Sequence, residues 1–167
     1  MSRIAAVVLA AGAATRFGSP KQRLLLPRVL DRLAASPVDE VVVVEGAYGL
    51  RAESTRASVR LVHCADWERG PGASLRCGLR ALSDDVEHAL VVLADGPELD
   101  PRAVRRLVEH REDGAVVAAA YGGERSHPVV MSRSVWYDVP NEGGRAIPAV
   151  LVDCSDLEAP GDVDFRR

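Results

Sequence analysis

A chain of 167 residues, 47% hydrophobic and 27% charged, is long enough to bury a core as one domain without disulfides or a metal to staple it. Its formal net charge of −3 argues against non-specific nucleic-acid binding, which needs a basic excess, while leaving room for a local basic pocket. Cys64, Cys77 and Cys154 stand far apart in no CxxC pattern, so reduced thiols of a cytoplasmic protein are expected rather than a disulfide framework or a zinc site.

Met1-Ser2-Arg3 followed by Ile4 to Ala11 has the outline of a signal peptide. The apolar run is too short for a membrane span, which takes about 20 residues, so no membrane partner is expected. Ile4 to Leu9 instead reads as a fully buried strand. Arg23 to Ala35 has helical spacing, with Leu26, Val29, Leu30 and Leu33 on one side and Pro27 in the first turn. Ser36-Pro37 stops it. Glu40 to Glu45, carrying VVVV, is a second buried strand, and Val59 to His63 a weaker third. Ala73 to Leu82 is a helix after a Gly-Pro-Gly turn. Ala89 to Leu93 is another buried strand. Asp100 as N-cap and Pro101 at the first helical position open a helix that runs to about His110. Ala115 to Ala120 is a strand, Gly122 to Arg125 a turn, and Pro128 to Met131 a short strand. Gly143 to Val152 is expected as a short helix broken by Pro148. Strands without polar alternation, separated by helices, predict a three-layer α/β/α sandwich around a mainly parallel, Rossmann-like sheet. One domain is expected over residues 1–167.

In such a sheet ligands sit at the carboxyl ends of strands. The first strand leaves through LAAGAATRFGSPK, Leu9 to Lys21. Small residues let a ligand approach the backbone, and two cations, Arg16 and Lys21, favour an anion. A dinucleotide fingerprint fails because Ala14 stands where GxGxxG needs glycine. A P-loop fails because Gly12 and Gly18 are one residue too far apart and Ser19 follows Gly18. The pattern LAAGxxxRxGxxK fits at Leu9, Ala10, Ala11, Gly12, Arg16, Gly18 and Lys21.

On these residues the chain resembles the MobA-like NTP transferases of the nucleotide-diphospho-sugar transferase superfamily, most closely the molybdenum cofactor cytidylyltransferase branch. The resemblance implies that the backbone of Leu9, Ala10, Ala11 and Gly12 packs on the base, and that Arg16 and Lys21 hold the triphosphate. Asp66 to Leu82 resembles the family's W-x-x-G-x-G-x-SL-x-x-G-L stretch, implying nucleoside contacts from Gly72, Ala73 and Ser74. Val91 to Pro101 resembles LADxPxL, implying Mg²⁺ on Asp95; a carboxylate directly after a buried strand is well placed to hold such an ion against phosphate. Gly122 to Met131 is similar to G-x-x-G-HP, with Ser126 for the usual glycine, and implies that His127 faces the acceptor. Asn141 to Arg145 resembles GDxGxR, with Pro140-Asn141 in place of Gly-Asp, and adds Arg145 to the acceptor side. Gly161 to Arg167 resembles DxDTP without its Thr-Pro, and implies Asp164, with Asp162 behind it, as the second metal carboxylate. The family's Gly-rich segment after the lysine is missing; KQRLLLPRVL runs on directly.

The implied reaction is nucleotidyl transfer, with Arg16, Lys21 and Asp95 as its catalytic set. An acceptor phosphate attacks the α-phosphorus of an NTP and pyrophosphate leaves. Ala11 stands where guanylyl members carry glycine, which favours CTP. The expected acceptor is molybdopterin; sugar, polyol or lactate phosphates and a non-catalytic nucleotide-binding role are the alternatives. No nucleic-acid partner is expected.

Overall fold

The computed structural model describes residues 3–10, 21–46 and 59–161, with the backbone alone for residues 21–24. Its strands are β1 (Arg3–Leu9), β2 (Glu40–Glu45), β3 (Val59–His63), β4 (Val86–Leu93), β5 (Val116–Tyr121), β6 (Glu124–Ser132) and β7 (Val150–Asp153). Its helices are α1 (Lys21–Ala34), α2 (Pro71–Arg80) and α3 (Pro101–Glu109). The seven strands form one sheet in the order β3-β2-β1-β4-β6-β5-β7. Four of the six pairings are parallel, and β6 is antiparallel to both of its neighbours.

The apolar strands are buried on both faces, which is why they lack alternation. Ala6 and Val8 of β1 face one core with Leu26, Val29, Leu30 and Leu33 of α1 and Ala103, Val104 and Leu107 of α3. Ala5 and Val7 face the other, with Leu75 and Leu79 of α2 and with Trp136. The result is the expected α/β/α sandwich. Gly78 of α2 lies so close to β1 and β2 that a Cβ there would sit 2.5 Å from Val7 Cγ1 and 2.7 Å from Val44 Cγ2. Among the described residues no helix is long and apolar enough to cross a membrane.

Three expectations are corrected. The helix foreseen across Gly143 to Val152 is only a 3-10 turn at Gly144–Ala146, followed by β7. Pro148 cannot continue a helical ladder, and Val150, Leu151 and Val152 instead pair in parallel with Val117, Ala118 and Ala119 of β5. α1 begins two residues before the foreseen start, so Pro27 lies inside it on an exposed face. Water can meet the carbonyl that the proline leaves unpaired there. Cys64 and Cys77, read as reduced thiols, form a disulfide with Cα atoms 5.9 Å apart. Cys64 follows β3 and Cys77 lies on α2, so the packing of α2 across the sheet joins them, not their spacing. Cys154 is free and buried.

Candidate active site

The carboxyl ends of β1 and β4 lie side by side. The Ala94 N–H donates to the Leu9 carbonyl at 3.1 Å, and the Ala10 N–H donates to the Val44 carbonyl at 3.0 Å. Beside them is a cavity of about 440 Å³. Leu9, Leu75, Val91, Leu93, Val129 and Met131 give it an apolar floor, and Pro71, at the start of α2, borders it. Gly96, Pro160 and Gly161 also line it. Its charged and polar side chains are Arg125, Ser126 and His127 of β6 and, beyond the 3-10 helix Arg133–Asp138, Glu142 and Arg145.

The antiparallel course of β6 explains this polar end. Val91 of β4 is opposite Val129 of β6. The residues before Val129 therefore run toward the carboxyl end of β4; the pairing with β5 is irregular between Val129 and Arg125, and Arg125, Ser126 and His127 all line the cavity. A two-residue turn makes the reversal from β5 possible. Gly122 and Gly123 have φ of 61° and 82°, the left-handed region open to glycine.

The His127 imidazole is pushed down to about 4, first by burial and then by the charges of Arg145 and Arg125. It is thus neutral at pH 7, a hydrogen-bonding group rather than a cation. The Arg125 guanidinium donates from Nη1 to the Ile147 carbonyl at 2.7 Å and from Nη2 to the Gly144 carbonyl at 3.2 Å. Arg145 returns the contact, with Nη2 donating to the Arg125 carbonyl at 2.9 Å. Burial and the nearby Arg145 lower the Arg125 pKa.

The structure brings some of the sequence-read residues to this cavity. Leu9, His127 and Arg145 line it. Asp95 sits in the turn after β4 between lining residues Leu93 and Gly96. A Cβ on Gly96 would lie 3.2 Å from Pro160 Cβ and 3.3 Å from the Gly161 carbonyl. The Glu98 N–H donates to the Pro160 carbonyl at 3.1 Å. The Asp95 turn is thereby seated on the segment that leads into Asp162 and Asp164.

Gly72, Ala73 and Ser74 are buried in the first turn of α2. The Gly72 N–H donates to the Asn141 carbonyl at 3.0 Å, and a Cβ there would lie 1.6 Å from the Pro140 carbonyl oxygen. This glycine therefore lets α2 dock on the turn that carries the polar end. Ala11, Gly12, Arg16, Asp162 and Asp164 lie outside the described residues, as does the Lys21 side chain. Among the described residues no three His, Cys, Asp or Glu side chains are grouped to hold a metal ion.

Arg125 was not among the residues singled out from the sequence. The signal was there in GGERSHP, where an arginine stands two residues before His127.

Comparison with known proteins decides the family. A model of the MobA-like NTP transferase domain matches residues 6–150. The chain belongs to this family. It is also 34% identical over 137 residues to the bifunctional protein GlmU of Gloeobacter violaceus, an alignment covering 71% of this NTP transferase chain and 29% of that protein. The chain thus spans under a third of that relative's length. Rv0371c from Mycobacterium tuberculosis H37Rv superposes with a TM-score of 0.81 and 26% identity, covering 99% of this chain and 95% of that one. A second structure of Rv0371c, in complex with manganese, gives 0.74 at 23% identity, covering 98% and 94%. The 2-C-methyl-D-erythritol 4-phosphate cytidylyltransferase of Thermus thermophilus gives 0.66 at 15% identity, covering 99% and 93%, a likeness of fold.

Proposed function

We propose that this MobA-like domain is a nucleotidyltransferase that moves an NMP, CMP from CTP in our reading, onto a phosphorylated acceptor, with molybdopterin as the acceptor the resemblance favours. One observation carries the reading. A single cavity is bordered by the exit of β1, the start of α2, the turn beside Asp95 and a wall bearing two arginines. The LAAG exit and the α2 start are where a nucleotide would lie, and the arginine wall is where an anionic acceptor would lie.

In the proposed step an acceptor phosphate oxygen forms a bond to the α-phosphorus. The bond from that phosphorus to the oxygen bridging to the β-phosphate breaks, and its electron pair leaves with pyrophosphate. An attacking phosphate is already anionic, so no general base is required. That agrees with a His127 whose pKa of about 4 makes it a weak base but a serviceable hydrogen-bond partner. Arg16 and Lys21 would neutralise charge that grows on the leaving pyrophosphate. Catalysis on this reading is positioning and electrostatics.

A divalent cation fits the acidic residues. Carboxylate oxygens suit a hard ion such as Mg²⁺, and the packing of Gly96 against Gly161 supports a set made of Asp95 with Asp164 or Asp162. The manganese complex of Rv0371c supports use of a divalent ion. When bound, such an ion supplies positive charge to phosphate oxygens. CTP is favoured by Ala11, which stands where guanylyl members of the family carry glycine, and by the cytidylyltransferase fold neighbour. The apolar floor of the cavity gives no support to a polyol acceptor.

Pyrophosphate release from CTP or GTP, with Mg²⁺ and each phosphorylated acceptor, tests the reading. The expected result is release with CTP and one acceptor only. A thermal-shift comparison of the two nucleotides reads base choice separately, because a specific ligand raises apparent stability. Tighter GTP binding overturns the cytidine assignment.

A further inference from the structure

The bond between Cys64 and Cys77 closes a stretch of chain that carries part of the cavity wall. Pro71 and Leu75, both in the cavity lining, lie between the two cysteines. So do Gly72, Ala73 and Ser74 in the first turn of α2. Cys64 is anchored outside that turn. Its N–H donates to the Glu45 carbonyl at the end of β2 at 2.7 Å, and its Sγ lies 3.7 Å from the Ala73 carbonyl oxygen. Trp67 is seated over the same strand end, since a Cβ on Gly46 would lie 2.6 Å from Trp67 Cγ.

The two halves of α2 are held differently. In the second half Gly78 packs against Val7 and Val44 and Leu79 is buried in the core, contacts that do not depend on the disulfide. The first half is held from two sides. The Gly72 N–H and the Arg76 guanidinium both donate to Asn141, and the disulfide ties the helix to the end of β3. Opening the bond removes the second hold only, and it replaces a covalent contact with a van der Waals one, which needs more room. Cys64 is fully buried, so that room comes from the Cys77 side. The cores on both faces of the sheet hold a chain of this length together without a covalent staple. Cys77 is only half-buried, so a small thiol can reach its sulfur while Cys64 stays sealed.

We infer that Cys64 and Cys77 form a reversible redox latch, which fixes the first turn of α2 at the cavity when oxidised and loosens it when reduced by a small thiol. The inference rests on the nucleotide reading above for what the latch controls, the affinity for the nucleotide. The exchange is balanced. A thiolate attacks the Cys77 sulfur, the bond to Cys64 breaks, and its electron pair leaves on the Cys64 sulfur, which takes up a proton. A second thiolate attacks the small-thiol sulfur of the mixed disulfide, releasing Cys77 and a small-molecule disulfide. The two small thiols supply both electrons and both protons. That small-molecule disulfide, acting as oxidant, reverses both steps.

Incubation of the full chain with oxidised or reduced glutathione, then alkylation under denaturing conditions and mass measurement, counts the thiols. One is expected in the oxidised form, Cys154, and three in the reduced form, with the single thiol restored on reoxidation. Calorimetric titration with CTP plus Mg²⁺ is expected to give binding about fivefold or more weaker after reduction. Hydrogen exchange, read by mass on a peptide covering residues 66–80, reports the turn itself, whose amides should exchange about tenfold faster in the reduced form. Cys77→Ser stays at the reduced-form values in both glutathione conditions. Cys154→Ala keeps the wild-type response. Should Cys77→Ser fail to fold, the two redox forms of the wild type carry the test.

A bond that reduced glutathione does not open in the folded protein overturns the latch, as does exchange of the first turn that is the same in both redox forms. The two readings fail separately. CTP binding of equal affinity in the two forms removes the latch and leaves the nucleotide reading. No CTP binding in either form, with first-turn exchange that follows the redox state, removes the nucleotide reading and leaves the latch.

Discussion

The two halves of the sheet build the cavity by different means. In the parallel half, β3-β2-β1-β4, each strand delivers its carboxyl end to the same edge, and the loops that leave β1 and β4 are where ligands of such sheets bind. In the other half β6 runs the opposite way, so its first residues arrive at that edge. Arg125 and His127 therefore act from within a strand. Both sides give apolar residues to the cavity, Leu9, Val91 and Leu93 from β1 and β4 and Val129 and Met131 from β6, but only the antiparallel side adds a strand-borne cation and a neutral imidazole. Loops that follow parallel strands can vary without disturbing the sheet. A strand-borne arginine is tied to the backbone of β6, which makes it a more rigid part of the cavity lining.

The sharpest way to break this division of labour is Asp95→Ala. On the parallel side it removes the proposed metal carboxylate, and pyrophosphate release is expected to fall by about 10²–10³-fold. Equal turnover in wild type and variant would remove Asp95 from the mechanism. Gly72→Ala attacks the seam between the halves, where a Cβ would lie 1.6 Å from the Pro140 carbonyl oxygen. Backbone must shift there, and urea denaturation should register a loss of about 3 kcal/mol. A midpoint unchanged by the alanine would mean that α2 is not docked on that turn.

His127 sharpens the antiparallel side through pH. Its imidazole is pushed down from the ordinary 6.5 to about 4, so between those values the unfolded chain holds more protons than the folded one. Stability from this residue is therefore fully present above pH 6.5 and is lost as pH falls toward 4. His127→Asn should erase that slope, and the wild-type excess should amount to about 2 kcal/mol after allowance for partial exposure. Parallel pH profiles of wild type and variant would show that the ring is not held neutral by its surroundings. The smallest effect is expected at Asp100, which accepts from the Arg102 N–H at 2.8 Å as the N-cap of α3. Asp100→Ala should cost about 1 kcal/mol in thermal or urea unfolding and leave CTP binding untouched, because the cap lies outside the cavity lining. Altered CTP binding there would show that the two halves are coupled through α3.

Much of the fold was legible because its strands are continuous apolar runs. β2 and β3 were read with the bounds they have, and β1 to within one residue. β4 starts three residues earlier than foreseen, at Val86, because the exposed Glu87 broke the apolar run that marked it. β6 was read only from Pro128 to Met131, since its first residues are polar and face the cavity rather than a core. For the same reason Arg125 went unnoticed. The stretch after Gly143 misled because a short apolar run cannot distinguish a helix from a strand until a partner such as β5 is known.

Taken by itself, the sequence determined the layers of the sandwich, and the family resemblance pointed to the loop after β1 and to Asp95, His127 and Arg145 as places to look for a ligand. The layers depend on local apolar pattern and the candidate residues on short motifs, both of which a linear chain carries in full. Only the tertiary structure decided that β6 reverses, that Arg125 and Arg145 clasp one another, that Cys64 meets Cys77, and that Gly72 serves a backbone contact. Each joins residues far apart in the chain or tied through backbone atoms, and the side-chain order written in a sequence does not record where the backbone of another segment will lie.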